Sequence, residues 1–135
     1  MEIDRVGNNK VRCAVIDTNI LMYIYLNRAN VISQLRDHGI GRFIITESVS
    51  SELQKLERSL KGRERIAARF ARKLIHTAGF EIVETESKGD SSLLEAAEKF
   101  GCVLITNDKI LKKKARARKI PLGYLKGDRR LVVEH

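Results

Sequence analysis

The fold follows from the stretch Cys13–Asp17, CAVID, in which a run of apolar residues ends on a carboxylate. A continuous apolar run, rather than an alternating one, is typical of a strand that is buried on both faces of a parallel sheet. The stretch Cys102–Thr106, CVLIT, repeats the pattern, and Asp108 follows it two residues later. Since ligands bind at the carboxyl ends of the strands in open parallel sheets, the two stretches predict aspartates at one functional edge.

Helical patterns separate strand-like runs along the whole chain. Strands are predicted at residues 12–16, 42–45, 80–83, 102–106, 121–125 and 131–133, and helices at 18–26, 30–37, 47–60, 63–77, 91–100 and 109–118. The alternation predicts an α/β protein, a three-layer α/β/α fold with a central, mainly parallel sheet. Residues 1–10 are polar and predict a flexible tail, and residues 11–135 have the length of a single domain.

The apolar spacing also predicts which helix faces are buried. The helix at 47–60 has the stripe Val49, Glu52, Leu53, Leu56 and Leu60. The helix at 63–77 is predicted to bury Ile66, Ala67, Phe70, Leu74 and Ala78, and to expose Arg65, Arg69 and Arg72.

The chain is strongly basic, with 26 Lys and Arg against 17 Asp and Glu and a formal net charge of +9. Two stretches, 55–73 and 109–130, hold most of the basic residues, which is the electrostatic signature of a polyanion partner such as RNA. Ordinary solvated helix faces explain a charge run equally well when it is taken alone. The residues predicted to contact RNA phosphates are Arg65, Arg69, Lys112, Lys113 and Arg116.

Neither a membrane span nor a secretory signal is predicted, because no apolar run approaches about 20 residues. Cys13 and Cys102 lie inside apolar stretches and form no Cys-x-x-Cys pair. They are predicted to be reduced core residues rather than a disulfide or a zinc site. The expected location is therefore the cytoplasm.

Four acids fall beside the predicted core: Asp17, Glu52, Asp90 and Asp108. A carboxylate held there is costly unless it is protonated, paired or bound to a cation. On a basic chain, four such groups predict an acidic pocket that places a metal ion against phosphate. Ligands that are all oxygen favour Mg²⁺ or Mn²⁺ over zinc, and such an ion can polarise a phosphodiester and activate water.

Each acid also has a structural explanation. Asp17 and Asp90 are good helix caps, and Asp108 in Thr-Asn-Asp is a good turn residue. Glu52 is harder to explain in this way, because a structural glutamate is better served by an outward-facing position. The four acids together, spread over two strand ends and two helices, favour the metal site.

The ordered motifs resemble those of the PIN-domain nucleases from Val11 to about Val133. They are Val15–Asn19 (VIDTN), Ser51–Leu53 (SEL), Gly89–Asp90 and Ile105–Asp108 (ITND). The resemblance implies the PIN-like fold, with an acidic pocket that binds Mg²⁺ or Mn²⁺ and cleaves single-stranded or structured RNA internally. It also implies that Asp17, Asp90 and Asp108 are metal ligands, with Glu52 either a ligand or an orienter of the metal-bound water.

The same resemblance implies supporting roles for Asn19 and Thr106 in the metal network. Some members have a further acid after the last aspartate, whereas Lys109–Leu111 follow here, which speaks against a second tightly held ion. VapC-like toxins, which are silenced by an antitoxin, and ribosomal-RNA processing nucleases are both similar. Lys119–Leu125 resembles the processing type slightly more. Small proteins of this fold often form homodimers through their early helices.

Two other classes of function stay open from the residues. A non-catalytic RNA-binding factor for ribosome assembly would keep the fold and the basic faces. A receiver-type phosphoacceptor also has an aspartate at a strand end. Its early paired acids are missing here, however, because Ala14–Ile16 occupy the positions before Asp17.

Overall fold

The computed structural model describes residues 11–134, so the predicted tail at 1–10 and His135 lie outside the described part. In this part the strands are β1 Arg12–Ile16, β2 Ile40–Thr46, β3 Glu81–Val83, β4 Val103–Ile105, β5 Leu122–Lys126 and β6 Arg130–Val133. The helices are α1 Thr18–Leu26, α2 Val31–Asp37, α3 Glu47–Ser59, α4 Gly62–Thr77, α5 Gly89–Phe100 and α6 Lys109–Ala117. The predicted alternation is confirmed.

The strands form one sheet in the order β3-β2-β1-β4-β5-β6. All neighbouring pairs are parallel except β5 and β6, which form an antiparallel hairpin. The path across the sheet reverses at α5, so right-handed crossovers place helices on both faces. The three-layer α/β/α prediction is thereby confirmed, and the reversal opens a crevice between the carboxyl ends of β1 and β4.

The two stretches that predicted the fold lie at the centre of the sheet. Ala14 pairs with Val103 and Ile16 with Ile105, so β1 and β4 end at the same level. Apart from Arg12, at the start of β1, every residue of these two strands is buried. Burial on both faces explains why the sequence shows continuous apolar runs here.

The predicted inner face of α4 is wrong for its largest residues. Ile66 is 44% and Phe70 42% exposed. The helix instead buries a seam made of Ala67, Ala68, Ala71 and Ile75. Because α4 packs against both α1 and α3, small residues let the three helices approach closely, and the two large apolar residues fall outside the seam.

Two local predictions are also wrong. Asp90 does not cap α5: Lys88 occupies the cap position, and Asp90 lies in the first turn. Cys13 and Cys102 form a disulfide, with their α-carbons 4.8 Å apart, rather than two free thiols. They are neighbours because each precedes one member of the Ala14–Val103 pair. The pairing removes the argument for a reducing compartment that rested on free thiols.

Within the described residues no helix has the length and apolar character to cross a membrane.

Candidate active site

Asp17 lies at the end of β1, where it caps α1 and is only 8% exposed. The backbone N–H of Thr18 donates to Asp17 Oδ1 at 2.7 Å, and the Thr106 hydroxyl donates to Oδ2 at 2.6 Å. The backbone N–H of Asp17 also extends the β1–β4 ladder to the carbonyl of Ile105. Both carboxylate oxygens are thus fixed by groups that follow the ends of the two central strands.

Thr106 is fully buried and connects two of the predicted site acids. Its hydroxyl donates to Asp17 and accepts the backbone N–H of Asp108 at 3.1 Å. Asp108 in turn caps α6, since its Oδ1 accepts the N–H of Leu111 at 2.8 Å. One hydroxyl therefore sets the position of the segment that carries Asp108 relative to Asp17.

Thr18 makes the corresponding connection to Glu52. The Thr18 hydroxyl donates to Glu52 Oε1 at 2.6 Å, while its backbone N–H binds Asp17. Glu52 itself is exposed, although its helix neighbours Val49 and Leu53 are buried. The carboxylate thus projects from α3 over the carboxyl end of β1.

Asp90 is brought to the same edge by the start of α5. Ser92, two residues further along α5, shares a buried hydrogen bond of 2.9 Å with Thr46 at the end of β2. The backbone N–H of Gly89 binds the Ser48 hydroxyl at 3.2 Å. These contacts tie α5 to the carboxyl end of β2, so the exposed side chain of Asp90 lies at the crevice.

Electrostatic repulsion links the four carboxylates. Burial is the main cause that raises the pKa of Asp17. The hydrogen bonds from Thr106 and Thr18 oppose this change, whereas the charges of Asp90 and Glu52 add to it. The pKa of Asp90 is raised by loss of water and then by Asp108, and the charge of Lys114 partly opposes this. Each of the four acids therefore lies close enough to at least one of the others to be repelled by it.

No cation of residues 11–134 forms an ion pair with this group. The ion pairs within that range join Arg42 to Glu81, Arg69 and Arg72 to Glu57, Arg116 to Glu134, and Arg118 to Glu98. Four mutually repelling acids without a paired protein cation fit a divalent cation in charge, and their oxygens fit a hard ion such as Mg²⁺ or Mn²⁺. Among the same residues no three His, Cys, Asp or Glu side chains already stand close enough to hold an ion, so the acids would have to close around it.

The expectation that all four acids are held against the core is correct only for Asp17. Asp108 is partly buried, and Glu52 and Asp90 are exposed. Asn19 is exposed as well, and its side chain forms no hydrogen bond within residues 11–134. Thr106, by contrast, binds Asp17 directly. The sequence had assigned equal supporting roles to these two residues.

The predicted RNA contacts differ in how they are engaged. Arg116 donates two hydrogen bonds to Glu134, at 3.1 and 2.6 Å. The Lys112 ammonium lies 4.5 Å from the centre of the Tyr124 ring. Lys113 is exposed. On the other basic surface, Arg65 donates to the carbonyl of Leu60 and Arg69 to Glu57.

Sequence reasoning missed three residues around the site, namely Thr18, Lys114 and Asp128. Thr18 bridges two acids, and Lys114 lies near Asp90. Tyr23 has a raised pKa, caused first by burial and then by Asp128 and Asp17, which places the phenol near both carboxylates. A signal existed for Thr18, which follows a strand-end aspartate. Asp128 lies in a hairpin turn far from Tyr23 in sequence, where helical or strand periodicity carries no information about proximity.

Comparison with known proteins decides the family. The family model described as "PIN like domain" matches residues 14–128, which include all four acids. The chain belongs to the PIN-like domain family. This PIN-like domain is 66% identical over 134 residues to "Ribonuclease VapC9" of Archaeoglobus fulgidus, covering 99% of the chain and 98% of the relative.

Two further comparisons agree with the family. "Ribonuclease VapC4" of Methanocaldococcus jannaschii is 31% identical over 114 residues, covering 80% of the PIN-like domain chain and 86% of the relative. The solved structure of the "PIN domain endonuclease Utp24" superposes with a TM-score of 0.67 and 27% identity, covering 90% of each chain. The predicted family and fold are confirmed.

Proposed function

We propose that this PIN-like domain is an endoribonuclease that hydrolyses RNA phosphodiester bonds with the help of Mg²⁺ or Mn²⁺. The observation that carries the proposal is the meeting of Asp17, Glu52, Asp90 and Asp108 at one sheet edge without an ion-pair partner in residues 11–134. The relatives named as ribonucleases, at 66% and 31% identity, support the RNA substrate.

In this proposal Asp17, Asp90 and Asp108 hold the ion, and Glu52 either holds it or orients an attacking water. When bound, the ion supplies charge neutralisation at the phosphate and a more acidic water. Thr106 and Thr18 favour the ionised form of Asp17 and fix its position, because both hydrogen bonds lower its pKa. Asn19 keeps its proposed supporting role in the metal network.

The biological role proposed is of the toxin type. The names of the two curated relatives favour a VapC-type ribonuclease over the processing type that Lys119–Leu125 had slightly favoured. The proposed partners are RNA and an antitoxin, and the proposed location is the cytoplasm. A homodimer and a ribosome-assembly partner stay predictions.

The decisive experiment compares the wild type with Asp17→Asn on labelled single-stranded RNA, in Mn²⁺ and in EDTA. We expect cleavage only by the wild type in Mn²⁺. Binding of Mn²⁺ alone, followed by electron paramagnetic resonance, should weaken in Asp17→Asn because a proposed ligand loses its charge. Asp37→Asn is the matched control. Asp37 is the last residue of α2, just before β2 begins, and so lies at the amino ends of the strands, away from the site.

Equal cleavage by the wild type and Asp17→Asn would contradict the proposed site. Undiminished cleavage in EDTA would contradict the role of the metal. RNA bound but never cleaved by the wild type would favour the non-catalytic RNA-binding factor.

A further inference from the structure

The hairpin turn between β5 and β6, residues 126–130, lies at the same edge as the acidic site. β5 runs parallel to β4, and Gly123 pairs with Ile105, the last residue of β4. β5 continues for three more residues to Lys126. At about 3.3 Å per residue, the turn therefore projects roughly 10 Å beyond the end of β4, on the side where Asp108 lies.

Asn107 ties this turn to the site. Its Oδ1 accepts the backbone N–H of Leu125 at 2.7 Å, and its Nδ2 donates to the Leu125 carbonyl and to Asp128 Oδ1, both at 3.0 Å. Asn107 stands between Thr106 and Asp108 in the chain. The turn is consequently positioned by the same segment that positions two of the site residues.

The helices hold the turn from the other side. Gln34 of α2 donates to the carbonyl of Arg129 at 2.9 Å and accepts the N–H of Leu131 at 2.7 Å. Asn27, at the end of α1, donates to the carbonyl of Asp128 at 3.3 Å. A hairpin tip held by three side chains from three segments is pre-organised, so a ligand that binds it costs the protein little conformational freedom.

The turn carries an excess of positive charge. Lys126, Arg129 and Arg130 are exposed, against the single acid Asp128. None of these three cations belongs to an ion pair within residues 11–134, whereas five arginines elsewhere in that range do. Cations without a protein partner are available to an anionic ligand.

We propose that the turn of residues 126–130 binds the backbone phosphates of RNA and holds the strand against the acidic crevice. The inference rests on the proposed function, because four carboxylates repel the phosphates of a strand that must cross them. Cations carried by a turn that is held at the same end of the sheet as the acids offset this repulsion. Phosphate contacts of this kind position a strand without reading its sequence.

The test measures binding of labelled single-stranded RNA in an Asp17→Asn background, which keeps the RNA intact. We expect Lys126→Gln/Arg129→Gln to weaken binding and to flatten the salt dependence. The slope of log K against log salt falls by about 0.7 for each phosphate of a single strand that the protein no longer neutralises, hence by about 1.4 for two phosphates. Lys99→Gln/Lys119→Gln is the charge-matched control. Both lysines are exposed, belong to no ion pair within residues 11–134 and lie near helix ends at the amino ends of the strands, so the slope for this control should stay near that of the parent.

The outcomes separate the turn from the nuclease. The role of the turn is overturned if the slope of log K against log salt is unchanged in the turn variant, or if the slope for the control variant falls by as much. If the wild type cleaves no RNA and the turn variant still binds RNA more weakly than its parent, the proposed nuclease activity is contradicted, whereas the turn is retained as an RNA-binding element. If the turn variant binds RNA like its parent and loses affinity for polyglutamate, the turn belongs to an acidic protein partner and the proposal fails.

Discussion

At the scale of single residues, Asp17 combines the burial of a core residue with the chemistry of a site residue. The residue is 8% exposed and its carboxylate receives two hydrogen bonds, yet its pKa is raised, because burial outweighs those bonds. A carboxyl with a raised pKa binds its proton more tightly in the folded chain than in the unfolded one. Its ionisation therefore costs folding free energy.

This raised pKa predicts a pH-dependent difference between the wild type and Asp17→Asn. Below the ordinary carboxyl pKa, Asp17 is protonated in both the folded and the unfolded state, and the two proteins should have similar unfolding free energies. As pH rises from the ordinary pKa through the raised one, the wild type loses stability, whereas the asparagine variant has no proton to lose at this position. In urea unfolding between pH 4 and pH 7, the unfolding free energy of the variant should rise relative to that of the wild type as pH increases.

The control for that pH series is Asp37→Asn, which removes an exposed carboxylate at the end of α2. Because Asp37 is exposed, its replacement should change the unfolding free energy little, and the control should follow the wild type across the same pH range. A difference in unfolding free energy between Asp17→Asn and the wild type that shrinks as pH rises would contradict the direction of the pKa change at Asp17.

The residues of the site were readable from the sequence to different degrees. Asp17 and Asp108 follow buried strands, and the topology of parallel sheets brings strand ends together. The environments of Glu52 and Asp90 were not readable, since apolar neighbours on a helix do not show whether a side chain at the helix rim faces the core or the crevice. Only Asp17 is buried in the way that was predicted for all four acids.

At the scale of elements, α4 shows the limit of reading helix faces from apolar size. Ile66 and Phe70 match the helical period, but the packed seam is formed mainly by alanines. The choice between the two faces depends on how closely α1 and α3 approach α4, which is a tertiary property. Phe70 instead lies beside Tyr25 of α1, with 5.7 Å between the ring centres.

The basic helix α6 predicts unequal contributions to RNA binding from residues of the same charge. Arg116 is held by Glu134, whereas Lys113 is exposed and has no ion pair within residues 11–134. Lys113→Gln should reduce the slope of log K against log salt for single-stranded RNA by about 0.7, the value for one phosphate. Arg116→Gln should leave the slope near that of the wild type. The reverse order would show that RNA displaces Glu134.

At the scale of the whole molecule, the parallel strands and the layered architecture followed from the alternation of strands and helices. The antiparallel β6 did not, because a short terminal strand carries no signal of its direction. The Cys13–Cys102 disulfide was also missed. Spacing in sequence cannot show that two cysteines precede paired positions on adjacent strands, and only the β1–β4 register does so.

The disulfide predicts a large loss of stability on reduction. It joins residues 89 positions apart, and a cross-link over a loop of that length lowers the conformational entropy of the unfolded chain, which stabilises the folded state by about 4.6 kcal/mol. Urea unfolding with and without reductant measures the loss. Cys13→Ala and Cys102→Ala should each lose a similar amount and become insensitive to reductant. A wild type equally stable in reductant would contradict the cross-link.

The same bond turns most of the chain into a closed ring, with Asp17, Glu52 and Asp90 inside it and Asp108 outside. A protease that cuts the exposed link at Lys61, between α3 and α4, opens the ring without releasing a fragment. The nicked protein would run as a single species on a denaturing gel until the sulfurs are reduced. Asp17 and Glu52 would stay covalently joined to Asp90 and Asp108 after the backbone between the two pairs had been broken.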